Sequence, residues 1–235
     1  PIDPIPNVMF QRDIGMVISD IAVVSSMKEK VRARECNIFR SIVDCHPLFS
    51  ETKKDISIRR HIEGGDVCVV SPKIVIIGHG HRTELTSAEL LATELIKHGF
   101  ETVIAVQQPN DRGHMHLDTV FTIISESECL VYAPFIFGSE RLGLSKPVLS
   151  FFGKGANGTA ELEISEEWDL LDCLAELGVH LKPIFCGGGN GDHVKADQEQ
   201  WWDGVNAFAV APGKILLYDR NLATLSALKE KDYEI

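Results

Sequence analysis

Apolar residues recur along the chain in short runs, and their spacing predicts an alternation of strands and helices. Met16 to Val24 reads as a strand, and Ser25-Ser26 as the cap of a helix from about Met27 to Val43 that Pro47 stops. Ile56 to Ile62 and Val67 to Val70 are strand-like on either side of Gly64-Gly65. Lys73 to Ile77 is a β-branched run that ends in Gly78-His79-Gly80. Thr86 to His98 carries its apolar residues at helical spacing and stops at Gly99, a residue suited to a left-handed C-cap. Strands are expected at Thr102 to Val106, Thr119 to Ile124 and Cys129 to Ala133.

Segment 138–160, rich in Gly, Ser and Lys, has no clear period and is expected to be an excursion, with a mobile lid as one reading. Ser165 to Leu177 then reads as an amphipathic helix with Glu166 and Glu167 in its first turn, followed by Gly178 and a strand from Lys182 to Phe185. A hairpin joins Phe208–Val210 to Lys214–Tyr218 across Ala211-Pro212-Gly213, and Leu222 to Lys231 closes as a helix. The rhythm of strand, strand, helix and strand returns every 50 to 60 residues, which suggests modules arranged about a common centre.

The 235 residues are 44% apolar and 24% charged, the balance of an ordinary globular protein. A net charge of −11 leaves no basic surface for a run of phosphates or an anionic membrane. With no apolar stretch of membrane-spanning length and no signal-like N-terminus, a cytoplasmic protein is expected. Six cysteines lie mostly inside apolar runs without a CxxC pair, so reduced core thiols are expected rather than disulfides. The chain opens without methionine at Pro1-Ile2-Asp3-Pro4-Ile5-Pro6 and closes at Tyr233-Glu234-Ile235, where a helix-like segment gives way to a strand-like one. Both ends read like the middle of a domain, and part of a longer chain is expected.

Three polar clusters fall where elements end: Asn7 with Arg12-Asp13, His61-Ile62-Glu63-Gly64-Gly65-Asp66, and His114-Met115-His116-Leu117-Asp118. Alternation along a strand would put His116 and Asp118 on one face. The paired glycines would let the backbone bend and aim Glu63 and Asp66 inward together. Carboxylates converging beside an imidazole suit a cationic substrate and proton transfer near neutral pH. A metal reading stays open, because His79-Gly80-His81 and His114-Met115-His116 are both His-x-His pairs that Asp118 or Asp66 could complete. Cys186-Gly187-Gly188-Gly189-Asn190 lacks the Gly-Lys-Ser/Thr ending of a phosphate loop and reads better as a tight turn.

Together, Asp3-Pro4-Ile5-Pro6-Asn7 leading to Arg12-Asp13, Glu63-Gly64-Gly65-Asp66, Arg82-Thr83 and His114-Met115-His116-Leu117-Asp118-Thr119-Val120-Phe121-Thr122 resemble the arginine deiminases. Glu199-Gln200-Trp201-Trp202-Asp203-Gly204-Val205-Asn206, Ala211-Pro212-Gly213 and Tyr218-Asp219-Arg220-Asn221 continue the resemblance in the same order over nearly the whole chain. It implies a pentein fold, an α/β propeller of ββαβ modules around a central acidic pocket, with 1–235 as part of the catalytic domain. It also implies hydrolysis of L-arginine to L-citrulline and ammonia without metal or organic cofactor. Carried over by position, Asp13 and Asp118 grip the guanidinium through paired charge-assisted hydrogen bonds. His116 serves as general acid and base with Glu63 beside it, and Asp66 lines the same pocket. Asn7, Arg32 and Arg82 hold the substrate's α-carboxylate, for which a guanidinium fork is better suited than an ammonium.

The family's nucleophile is a cysteine in a glycine-rich segment near its C-terminus, after a strand that would begin at about Glu234, and no residue here matches it. Cys186 aligns with an earlier family segment and is expected to be structural. The family's first module and the helical domain inserted after it would lie before Pro1. Another guanidine-group pentein such as an amidinotransferase, or a non-catalytic arginine-binding protein, are the competing readings. Homo-oligomerisation is a further expectation.

Overall fold

The computed structural model describes residues 5, 7–52, 56, 58–154, 160–165, 169–189 and 191–235. In chain order these begin with β1 (Gly15–Ile18), β2 (Ile21–Val24), α1 (Glu35–Cys45), β3 (Val67–Ser71), β4 (Ile74–His79), α2 (Leu85–Lys97) and β5 (Thr102–Gln107). There follow β6 (Phe121–Ile123), β7 (Glu128–Val131), α3 (Ala133–Phe137), β8 (Leu149–Lys154) and β9 (Ala160–Ser165). The last elements are α4 (Leu170–Glu176), β10 (Lys182–Phe185), α5 (His193–Trp201), β11 (Phe208–Ala211), β12 (Lys214–Leu216) and α6 (Leu222–Lys229). Strands and helices alternate, so the chain is α/β, as the periodicity predicts. It divides into two compact units, 1–109 with 150–163, and 110–149 with 164–235.

The first unit is built on a five-stranded sheet in the order β3-β4-β5-β8-β9. β3 and β4 run antiparallel, whereas β4 and β5 are parallel, and α2 makes the crossover that parallel neighbours require. Ala88, Leu91, Ala92, Leu95 and Ile96 form the buried stripe of α2 at helical spacing, packed with Val75, Ile77, Val103 and Ala105 of the sheet. A β-branched run buried on both faces makes β4 a central strand. The same core takes in Met16, Ile18, Ile21 and Val23 from the antiparallel β1–β2 pair.

Three expectations change here. The apolar run 16–24 is two strands, because Ser19 adopts a left-handed φ of 57° and turns the chain back on itself. Ser26 does not cap a helix; it exchanges two backbone hydrogen bonds of 3.0 Å with Ile62, and the Lys28 N–H donates to Glu63 Oε1 at 2.9 Å. Those tertiary bonds hold residues 26–28 off the helix, which starts only at Glu35. Among the described residues of 56–62 no strand forms apart from that bridge; Ile56, Ile58 and Ile62 are apolar because they plug the core.

In the second unit β10 lies parallel to β7, which pairs antiparallel with β6. α4 precedes β10, capped by Asp169, whose Oδ1 accepts the Leu171 and Asp172 N–H groups at 3.0 and 2.9 Å. Strand β9 therefore occupies the start of the helix expected from Ser165, and Glu166 and Glu167 lie outside the described residues. The supposed excursion 138–160 likewise contains β8. β11 and β12 form the expected hairpin, with Gly213 at φ 74° in the turn. Glu199 of α5 caps α6 from outside: its carboxylate accepts the Ala223 and Thr224 N–H groups at 2.8 and 2.9 Å and the Thr224 hydroxyl at 2.7 Å.

The neighbours Leu90 and Leu91 test the packing of α2, being 51% and 0% exposed. Leu91→Ala is expected to cost about 2–5 kcal/mol in urea unfolding, and Leu90→Ala within about 0.5 kcal/mol of zero. Equal costs would mean that α2 presents a different face to the sheet.

Candidate active site

In the first unit a short 3-10 turn at Gln11–Ile14, just before β1, buries Asp13. Arg32, equally buried, ends a second such turn just before α1. Arg32 Nη1 donates to Asp13 Oδ2 at 2.5 Å, and its Nε donates to Glu35 Oε2 at 2.9 Å. Nη2 reaches the carbonyls of Asn7 and Phe10, each at 3.3 Å. Burial works against the Arg32 charge, but the hydrogen bonds and charges of Asp13 and Glu35 outweigh it and raise its pKa. Three expected site residues, Asn7, Asp13 and Arg32, are thus together.

Beside them stands the Glu63–Asp66 segment. Residues 64–66 form a 3-10 turn in which Glu63, Gly64, Gly65 and Asp66 are all buried. Gly64 is needed for close approach: a Cβ there would sit 2.1 Å from the Arg12 carbonyl oxygen and 2.9 Å from that of Gly15. The bare backbone lets the Asp13 and Glu63 segments touch. Arg82 Nη1 lies 3.5 Å from Glu63 Oε2, and the buried Arg82 Nε has no hydrogen-bond partner among the described residues. Asp66 is braced on both oxygens, Oδ2 accepting the Thr83 hydroxyl at 2.6 Å and Oδ1 the Gln108 amide at 2.7 Å. The Thr83 Oγ1 also accepts the Glu63 N–H at 3.2 Å.

In the second unit His116 and Asp118 are both buried, but not on one strand. His116 is extended and Asp118 follows in a 3-10 turn over Leu117–Thr119, which the Thr119 N–H and hydroxyl close onto the His116 carbonyl at 3.1 and 2.7 Å. The Gln200 amide grips the carbonyls of Gly113 and Thr119 at 2.7 and 3.4 Å, fastening both sides of this segment to α5. His114 is engaged elsewhere, its Nδ1 3.0 Å from Asp111 Oδ1 and its ring against Tyr132 and Phe135. Among the described residues no group of three His, Cys, Asp or Glu side chains suits a metal ion.

Glu35, Thr83, Gln108 and Gln200 support the site and were not singled out by sequence reasoning. Glu35 had a readable signal, its i,i+3 spacing from Arg32. Thr83 and Gln200 lie inside the quoted motifs, whereas nothing near Gln108 marks it.

Cys186 sits in a tight turn, with Gly187, Gly188 and Gly189 all at positive φ; Asn190 lies outside the described residues. Burial pushes its thiol up to about 12, and the Thr224 hydroxyl, whose proton goes to Glu199, lies 3.6 Å from Sγ. A thiol so rarely ionised is a poor nucleophile. At pH 7.5 a thiol reagent is expected to label the exposed Cys45 and to reach Cys186 only after denaturation, as peptide mass spectrometry would show. Native-state labelling of Cys186 as fast as Cys45 would contradict this assignment.

Residues 1–235 match the model of the arginine deiminase family throughout. An arginine deiminase of Borrelia garinii subsp. bavariensis is 36% identical over all of this chain and 56% of its own length. One from Limosilactobacillus fermentum is 35% identical over 97% of this chain and 55% of its own. The chain therefore spans about half the length of these relatives. Among solved structures, the product-bound N-terminal domain of ArgZ, a cyanobacterial arginine dihydrolase, superposes with a TM-score of 0.63 at 19% identity, covering 100% of this chain and 69% of that one. A mutant DDAH from Pseudomonas aeruginosa complexed with citrulline gives 0.59 at 14% identity, over 97% of this chain and 68% of its own. The likeness to these two is one of fold, whereas the sequence match is a match of family: this chain belongs to the arginine deiminases.

Proposed function

We propose that these residues form the guanidine-recognising part of an arginine deiminase, which hydrolyses L-arginine to L-citrulline and ammonia. One observation carries the reading: a buried carboxylate, Asp13, holds a guanidinium nitrogen at 2.5 Å in a setting where carboxylates outnumber cations. Asp13, Glu35, Glu63 and Asp66 are formally four negative charges against the two of Arg32 and Arg82, all six side chains being buried. Such a surplus favours a guanidinium entering from water. The buried, unpartnered Nε of Arg82 is a donor suited to a carboxylate. The names of the relatives, and of an ArgZ that is an arginine dihydrolase, agree with arginine as substrate.

In this reading Asp13 and Asp118 grip the guanidinium, while Asn7, Arg32 and Arg82 take the α-carboxylate. A guanidinium is resonance-stabilised and a poor electrophile, so the carboxylates localise its charge while a thiolate attacks the central carbon. His116, assisted by Glu63, gives a proton to the departing ammonia and then takes one from the water that attacks the thiouronium carbon. Citrulline leaves and the thiolate is restored, with one water consumed and no redox change. The family resemblance assigns that thiolate to a glycine-rich segment beyond the strand at about Glu234. Asp66, held by Thr83 and Gln108, acts as a brace between the Glu63 and Arg82 segments. The same reading makes 1–235 part of a pentein α/β propeller, in a cytoplasmic, homo-oligomeric enzyme that uses no metal or organic cofactor and binds neither nucleic acid nor membrane. No helix among the described residues is long and apolar enough to cross a membrane.

The full-length natural protein is expected to release citrulline and ammonia in equal amounts from L-arginine, and to do so undiminished after exhaustive chelation. His116→Asn and Asp118→Asn should each lower kcat/KM by about 10²–10⁴-fold with unchanged circular dichroism. Ornithine formed only when an amine acceptor is added would identify an amidinotransferase, and binding without turnover an arginine-binding protein. Wild-type-like turnover in either variant would remove that residue from the mechanism.

A further inference from the structure

Glu35 is the first residue of α1 and is 0% exposed, yet its carboxylate does not serve its own helix. One oxygen, Oε2, accepts the Arg32 Nε at 2.9 Å, and the other, Oε1, accepts the backbone N–H of Asn7 at 3.2 Å. The Asn7 carbonyl closes a ring by accepting from Arg32 Nη2 at 3.3 Å. One buried carboxylate therefore joins two of the three residues read as holders of the substrate's carboxylate, across 28 positions of sequence. From this juxtaposition we infer that Glu35 is a positioning residue for recognition of the α-carboxylate: it fixes the Arg32 guanidinium and the Asn7 backbone in one arrangement. The inference rests on the deiminase reading of Arg32 and Asn7 given above.

The chemistry requires a carboxylate. Arg32 has two anionic partners, Asp13 on Nη1 and Glu35 on Nε, and the deiminase reading gives Asp13 a second task, that of binding the substrate guanidinium. If Glu35 anchors Arg32, the cation stays in place when Asp13 engages the substrate. Without it, Asp13 would be the remaining carboxylate on Arg32 among the described residues, and the two ends of the substrate would compete for the same ion pair. A glutamine keeps the size of the side chain but carries no charge and puts an NH2 group where one of the two accepting oxygens stood, facing a donor. An aspartate keeps the charge and is one methylene too short to span both. A helix-start carboxylate of purely local use would leave substrate binding untouched when replaced.

The test is steady-state kinetics of the full-length natural protein with L-arginine, using Glu35→Gln, Glu35→Asp, Arg32→Lys and the double variant Arg32→Lys with Glu35→Gln. Glu35→Gln is expected to raise KM by about tenfold or more with kcat within about threefold, the signature of lost binding common to ground and transition states. On the Arg32→Lys background the same change should add less than about threefold to KM, because its effect runs through the guanidinium. Glu35→Asp should lie between wild type and Glu35→Gln, and it carries the comparison if Glu35→Gln does not fold. An unchanged KM, a loss confined to kcat, an equal KM effect on both backgrounds, or the failure of both Glu35 variants to fold would overturn the inference. A wild-type protein that makes no citrulline would instead count against the deiminase reading itself.

Discussion

A guanidinium taken out of water is stable only if its charge and its donors are met, and Arg32 is buried with four of its contacts supplied by two short stretches of chain. Asp13 and Glu35 meet the charge, while the carbonyls of Asn7 and Phe10 meet the remaining geometry. Those demands fix where the segment before β1 lies against the start of α1. Removing one partner of such a buried pair typically costs about 3–5 kcal/mol, so without a ligand Arg32 stays held between Asp13 and Glu35. The chain has thereby built a buried carboxylate–guanidinium contact from its own arginine, the chemistry that the proposed substrate would present.

The next constraint is steric. Gly64 lets the Glu63 segment lie backbone to backbone on the Arg12–Gly15 segment, where any Cβ would collide with a carbonyl oxygen. Thr83, in the turn before α2, and Gln108, just after β5, then hold Asp66, and Thr83 also takes the Glu63 N–H. Every carboxylate of this unit's site is thus held by a neighbour rather than left to find its own rotamer. Preorganisation of this kind is what a site needs when the charge it recognises is delocalised and weakly hydrated. In the second unit Gln200 does a comparable task for the His116–Asp118 turn.

What the sequence revealed and what it hid follow one rule. β4, α2 and β5 were legible because their periods are set by a single apolar core on one side or both. α5 was missed because its buried positions are polar: Glu199 and Gln200 face inward to cap α6 and to hold the His116 segment, so no apolar stripe marks it. The start of α1 and the turn at Ser19 depended on hydrogen bonds to distant residues and on a left-handed residue that any nine-residue window would overlook. The motifs named most of the buried polar residues that the structure gathers within each unit. The pairing of Arg32 with Asp13 was not readable, since it needs the fold; for Glu35 the i,i+3 spacing from Arg32 was a signal, but its bond to the distant Asn7 backbone amide was not legible.

A crystal structure of the full-length protein with L-citrulline or L-arginine bound would test the reading at the level of atoms. The expected result is a ligand whose ureido or guanidino group lies on the Asp13 and Asp118 carboxylates and whose α-carboxylate lies on Arg32 and Arg82, with Glu35 still on the Arg32 Nε. A ligand bound at other residues, with Asp13 and Arg32 closed on each other as in the ligand-free arrangement, would contradict it.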